Sequence, residues 1–118
     1  MKKYFVYAFA LAAIVLIAPR AFAKGSLAVG HGDDYGWAVN MHSYDESDAS
    51  ALEHCPGECK IVYRFENTCA AYSKDGPGGA TGWAHAPTRE EAEHLAQEEC
   101  RSHGGHECPI RVWGCDTD

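Results

Sequence analysis

The sequence predicts an α+β domain made of two β-β-α-β repeats that form a mostly antiparallel sheet with two helices packed on it. The main observation is an internal repeat: residues 36–69 contain a Gly-Trp-Ala strand, a capped helix ending in cysteine and an apolar strand between two further cysteines. The same order recurs in residues 82–115. A repeat of this length indicates a duplicated structural unit. The strand and helix signals are short and separate, which favours the α+β class.

The first repeat begins with a predicted hairpin. Its strands are SLAVG (26–30) and WAVNM (37–41), and the turn is the Gly- and Asp-rich segment between them. Glycine and aspartate tolerate the positive φ angles that tight turns need. In the second repeat we expect CAAYS (69–73) to take the place of SLAVG, followed by an irregular glycine-rich loop and a strand at Trp83.

Both helices begin at a predicted capping box, because Ser43 and Thr88 each stand three residues before a glutamate. The second helix carries a narrow apolar stripe with spacing i, i+3, i+4, i+8, formed by Ala92, Leu95, Ala96 and Cys100. The first helix is weaker, with Ala51, Leu52 and Cys55 as apolar positions, and should end by Pro56-Gly57. Small side chains on these stripes would let each helix lie close to the sheet.

The segments after the helices should be strands. In KIVYRF (60–65), alternation predicts Ile61, Tyr63 and Phe65 on one face, and Val62 and Arg64 on the other. A tight turn at residues 66–67 should lead into the second repeat, and PIRVW (109–113) should be the last strand.

Three tryptophans could be either core residues or an exposed platform for carbohydrate or peptide. Trp37 and Trp83 occupy equivalent repeat positions, which favours the core. We therefore expect them, with Trp113, to close the sheet against the helices.

Residues 1–23 have the layout of a secretory signal peptide, with a basic start, an apolar run over residues 5–18, a proline and cleavage expected after Ala23. The 14-residue run is shorter than the about 20 residues that span a bilayer. We therefore expect residues 24–118 to form a single duplicated domain, secreted or periplasmic, with no membrane attachment after cleavage.

The predicted mature chain is acidic. Three of the ten basic residues lie in the leader, so seven remain against 17 acidic residues, a formal charge of −10. An acidic domain without a basic stripe repels phosphate backbones and anionic lipid surfaces. We expect no nucleic-acid partner. We expect a monomer, and its negative charge would attract a basic protein partner.

Together the paired Gly-Trp-Ala strands, the alanine-rich helices ending in Cys55 and Cys100, and the segment CKIVYRFENTCAAYS resemble the bacterial family catalogued as domain of unknown function 4189. The resemblance covers essentially all of residues 24–118. It implies an exported bacterial protein, for which effector-like or host-interacting roles have been proposed, and it supplies no catalytic residues.

An even number of cysteines in a small exported domain predicts three disulfides. Six cysteines allow 15 pairings. The repeat favours the set in which each helix-end cysteine pairs with the next cysteine of its own copy, which leaves the remaining two to join the halves: Cys55–Cys59, Cys100–Cys108 and Cys69–Cys115. A zinc clip at residues 55–59 is the weaker alternative, because an oxidising compartment favours the disulfide.

The loop RSHGGHEC is the one segment that the first repeat lacks. His103 and His106 flank two glycines beside Glu107, and His94 lies one turn before Glu98. Such side chains are possible ligands for a divalent ion, so a metal- or small-ligand-binding protein is one alternative. Solvated surface histidines are the stronger interpretation, and we assign no metal and no cofactor.

Sequence motifs of catalysis are missing: the chain contains no G-x-S-x-G, no H-E-x-x-H and no lone cysteine with a partner histidine. Its carboxylates cluster at helix starts and on an exposed helix face, where they favour the helix dipole and solubility. We therefore expect a non-enzymatic protein-binding or effector-like module, with an enzyme that uses an unrecognised site as the second alternative.

Overall fold

The structure, a computed structural model, describes residues 23–76 and 79–116, and for Asp116 the backbone only. The predicted signal peptide lies outside this range except for Ala23. Eight elements follow one another: β1 (Lys24–Val29), β2 (Tyr35–Met41), α1 (Tyr44–Glu53), β3 (Lys60–Glu66), β4 (Thr68–Lys74), β5 (Thr81–Ala86), α2 (Arg89–Ser102) and β6 (Ile110–Asp116). The predicted α+β class and the two β-β-α-β repeats are confirmed. Within these residues neither helix has the length and hydropathy of a membrane span.

The strands form two sheets of three, one for each repeat, rather than a single sheet. The strand orders are β2-β1-β3 and β5-β4-β6, all antiparallel. The chain passes between the sheets at Asn67, whose φ of 56° is left-handed and is tolerated by asparagine better than by most residues. This residue is the predicted tight turn.

Each helix lies on one face of its own sheet and uses its small residues there. Ala51 packs against Ala28 and Ala38 in the first half, and the buried cluster of the second half is Cys69, Ala71, Ala86, Ala92 and Ala96. A Cβ atom at Gly36 would overlap the carbonyl oxygen of Ala51, and one at Gly82 would overlap that of Ala96. The helix backbones therefore rest directly on the strands, as the small-residue stripes predict.

The two sheets face each other through their other faces, which are aromatic. Tyr35 and Tyr72 lie 5.4 Å apart between ring centroids, and Tyr63 lies 6.4 Å from Trp83. A Cβ atom at Gly114 would be 3.1 Å from Nε1 of Trp37. The molecule thus has four layers, helix, sheet, sheet and helix, with alanine between helix and sheet and aromatic rings between the sheets.

The prediction that the tryptophans close the sheet against the helices is wrong. Trp37 and Trp83 lie on the opposite face, half-buried between the sheets. Trp113 is on the helix side but is 41% exposed, covered by the guanidinium of Arg89 at 3.9 Å from the ring centroid. The physical reason is the close helix approach, which leaves room for alanine and glycine only.

The predicted alternation in β3 is also wrong, because a bulge interrupts it. Tyr63 pairs with Leu27 but Ile61 pairs with the next residue, Ala28, so Val62 is an extra residue. Ile61 consequently packs under α1, whereas Tyr63 and Phe65 face the other sheet. The equivalent bulge in β6 falls at Arg111, between the partners of Tyr72 and Ser73.

All three disulfides join the predicted pairs, Cys55–Cys59, Cys69–Cys115 and Cys100–Cys108. The location of one differs from the prediction: Cys69 and Cys115 are paired neighbours on β4 and β6. This disulfide therefore links two adjacent strands of the second sheet, the first and the last strand of the second repeat, and does not join the halves. The halves are held together by the aromatic layer and the chain connection at Asn67.

Candidate functional site

An open groove of about 520 Å³ runs along the outer edge of β5. Three elements line it: β3 contributes one residue, β5 two and α2 four, namely Tyr63, Ala84, His85, Leu95, Glu98, Glu99 and Ser102. Ala84 packs in the cluster under α2, whereas the neighbouring His85 stacks on Tyr63 of the other sheet. Because these two residues point to opposite faces of β5, the groove must wrap around the strand's edge.

The floor of the groove is aromatic. The rings of Tyr63 and His85 are stacked at a centroid distance of 6.2 Å and an interplanar angle of 30°. Burial raises the pKa of Tyr63 to about 12, since a low-dielectric surrounding disfavours the phenolate. The phenol therefore remains neutral and offers both an apolar ring and a hydroxyl group.

Leu95 makes the helical wall apolar. The sequence stripe predicts this residue in the core, but it is 42% exposed, whereas Ala92, Ala96 and Cys100 of the same helix are fully buried. The prediction is wrong for Leu95 because α2 lies too close to the strands for a large side chain. Leu95 instead lines both the main groove and an adjoining depression with Glu90, Glu91 and His94.

Carboxylates stand on the rim of the groove. Glu98 is 3.0 Å from His94, and Glu99 is 3.6 Å from His103, both at spacing i, i+4 along α2. The side chains of both glutamates are more than half exposed, so water competes for these contacts and each pair is weak. Two carboxylates therefore remain available to a cationic ligand beside the apolar wall.

The histidine-rich loop is organised by its backbone rather than by its side chains. The Asp75 carboxylate accepts hydrogen bonds from the backbone N–H groups of His106, Glu107 and Cys108 at 2.8, 3.1 and 3.0 Å. These three bonds, led by the one from Cys108, hold the pKa of Asp75 below its usual value. His103 points elsewhere, with Nδ1 2.9 Å from the carbonyl oxygen of Thr81.

The alternative of a metal site at His103, His106 and Glu107 gains no support from this arrangement. Among residues 23–76 and 79–116, no group of three or more His, Cys, Asp or Glu side chains is placed to hold a metal ion.

Asp75→Asn should lower the free energy of unfolding at pH 7, because the carboxamide turns an N–H₂ group toward backbone donors. Because the pKa of Asp75 is lower in the folded state than its usual value of 3.8, the ionised carboxylate stabilises the folded protein above pH 3.8. This stabilisation is lost as the pH falls through the lower folded-state pKa. The difference in free energy of unfolding between wild type and Asp75→Asn should therefore become smaller below pH 3.8. Urea unfolding at pH 7 and at successively lower pH measures it.

The matched control is Asp33→Asn, which removes an exposed carboxylate 3.6 Å from Arg111. Exposed pairs of this kind contribute little. Equal unfolding midpoints for wild type and Asp75→Asn at pH 7 would contradict the role given to Asp75.

Sequence reasoning missed the groove. The notable signal was Leu95, a large residue in a stripe otherwise made of alanine and cysteine. The approach of Tyr63 and His85 has no sequence signal, because it depends on how the two sheets pack.

The family described as "Domain of unknown function (DUF4189)" matches residues 25–115. No curated protein and no solved structure matches the chain significantly.

Proposed function

The chain belongs to the DUF4189 family, whose description assigns no activity, and we propose that it is an extracytoplasmic, disulfide-stabilised module that binds a basic protein segment in the groove along β5. One observation carries the proposal: the groove combines an aromatic floor and the exposed Leu95 with the carboxylates of Glu98 and Glu99. Apolar contact provides affinity for such a segment, and the carboxylates favour lysine or arginine side chains next to it.

The net charge supports the same partner. The full chain has a formal charge of −7 at pH 7, and a net negative charge steers cationic ligands toward the protein and raises their association rate. Salt should therefore weaken binding, mainly by slowing association.

The disulfides support an extracytoplasmic location. All six cysteines are paired, and disulfides persist mainly in the periplasm or outside the cell. Export through a signal peptide cleaved after Ala23 is part of the proposal.

Binding is proposed rather than catalysis because of where the carboxylates lie. Glu98 and Glu99 are adjacent on one helix and largely exposed. Paired carboxylates in hydrolases instead face each other across a cleft, with at least one of them shielded from water. The geometry of the groove suits recognition of a cationic chain.

The test is the double variant Glu98→Lys/Glu99→Lys, measured by fluorescence anisotropy with a labelled peptide of alternating lysine and valine. Reversing both charges should weaken binding at least about tenfold at low salt, which corresponds to about 1.4 kcal/mol. The matched control, Glu53→Lys/Glu58→Lys, makes the same charge change at exposed positions outside the groove.

If the two double variants bind equally weakly, the attraction is a property of the net charge and the groove assignment fails. A wild-type protein that does not bind the peptide at all would contradict the proposed function itself.

A further inference from the structure

We infer that the ligand binds as an additional β-strand, paired with the outer edge of β5. This inference rests on the proposed function and specifies how the groove would hold a basic segment. In strand addition, main-chain hydrogen bonds provide affinity and alternate side chains provide specificity.

Of the four edge strands in the part of the chain that the structure describes, three are interrupted by a bulge and β5 is not. The register shifts place one extra residue near Asn40 in β2, at Val62 in β3 and at Arg111 in β6. The pairing of β5 with β4 is regular from Thr81 to Ala86. Since bulges and charged residues are common devices that prevent an edge from pairing with another chain, β5 is the edge without such protection.

The sequence of β5 agrees with this assignment. The strand reads TGWAHA and contains no lysine, arginine, acidic residue or proline, which are the residues that usually blunt an edge. By contrast, β3 carries the charged side chains of Lys60, Arg64 and Glu66. The difference between the two strands matters because both border the same groove.

Hydrogen bonds within the second half show which backbone groups point outward. The carbonyl oxygens of Gly82 and Ala86 accept bonds from hydroxyl groups on β4, so these residues face the interior of the sheet. The carbonyl of Thr81 faces the other way and accepts a bond from His103. By the alternation of an antiparallel strand, the N–H and C=O groups of Trp83 and His85 also point outward, away from β4, and His85 lines the groove.

The walls of the groove define the side chains of the added strand. One of its faces would meet Leu95 and the rim glutamates of α2, and the other would meet Tyr63 and His85. Since successive side chains of a strand point to opposite faces, a segment that alternates basic and apolar or aromatic residues fits both walls.

A second copy of this chain fits less well. Each copy has a formal charge of −7, or −10 without the proposed leader, and pairing two β5 edges would bring two sets of rim glutamates together. Like charges brought into proximity across an interface disfavour association. The ligand that we propose for the β5 edge is therefore a basic segment of another protein.

The experiment is isothermal titration calorimetry with a lysine–valine peptide as long as the six residues of β5. Two N-methylated versions are compared, in which the methyl groups occupy either the odd or the even positions. In strand addition only one set of N–H groups faces β5. One version should therefore lose about tenfold or more in affinity, as expected for losing two main-chain hydrogen bonds, while the other binds like the parent peptide.

Equal affinity of both methylated peptides and the parent would overturn strand addition while leaving groove binding intact. Loss of all binding by the parent would overturn both proposals. If the protein alone forms salt-sensitive dimers, and the substitution His85→Pro dissociates them, the β5 edge binds a second copy of the chain. That result would overturn the proposal that it binds a basic segment of another protein.

Discussion

Replacing Cys69 and Cys115 with alanine is expected to lower the free energy of unfolding by about 4 kcal/mol. The disulfide closes a loop with a sequence separation of 46, and chain-entropy arithmetic for a loop of that size gives this magnitude. Cys69 is also buried among Ala71, Ala86 and the alanines of α2. Denaturant unfolding under oxidising conditions measures the change.

The control is the pair Cys55→Ala/Cys59→Ala, which opens a loop with a separation of only four residues. The same arithmetic gives about 2 kcal/mol for such a short loop. Equal losses for the two variants would show that the disulfides act through local packing instead of loop closure.

Gly82→Ala is expected to destabilise the protein by about 3 kcal/mol, at the upper end for overpacking a core. A Cβ atom at this position would overlap the backbone of α2 at Ala96 and Cys100. Backbone atoms cannot rotate away as side chains do, so the whole helix must shift from the sheet. Thermal or urea unfolding measures the loss.

Two further variants make the Gly82 result specific. Gly36→Ala meets the backbone of α1 at Ala51 in the same way and should have a comparable effect. His85→Ala changes an exposed side chain on the same strand and should stay within about 0.5 kcal/mol. A tolerated alanine at Gly82 would mean that helix and strand are not in backbone contact.

The sequence predicted those features that depend on local chemistry. The helix starts follow from Ser43 and Thr88, whose hydroxyl groups accept bonds from the backbone N–H three residues on. The disulfide pairing follows from the repeat, because equivalent cysteines occupy equivalent helix ends. The alanine stripe of α2 predicted a close helix–sheet contact.

Features set by packing between elements were not predicted. Alternation places Trp83 and Ala84 on opposite faces of β5, but the sequence does not say which face meets the helix. That choice depends on Gly36 and Gly82, which bring each helix backbone against its sheet and direct the rings to the other side. The bulge at Val62 likewise has no sequence signal, and it reverses the side to which Ile61 points.

The two repeats also differ in which element provides the cation of a cation–π contact. In the first half Arg64 of β3 lies 5.5 Å from the ring of Tyr44 on α1, whereas in the second Arg89 of α2 lies over Trp113 of β6. In the first half the strand provides the cation and the helix the ring, whereas in the second half the helix provides the cation and the strand the ring. Each half thus keeps a cation–π contact between helix and sheet, although neither of the two equivalent positions keeps its residue type.

Exposure of Leu95 connects fold and proposed function. Because α2 rests on glycine and alanine, its largest apolar side chain is directed to the surface, where it meets the edge of β5. The same close packing that stabilises the second half therefore creates the apolar wall of the groove.

The most direct test of the central claim is NMR mapping of amide shifts during titration with the lysine–valine peptide. The groove assignment predicts shifts concentrated at the amides of Trp83 and His85 and along α2 near Leu95, Glu98 and Glu99. Shifts centred on α1 and β2, or spread evenly over all acidic positions, would contradict it.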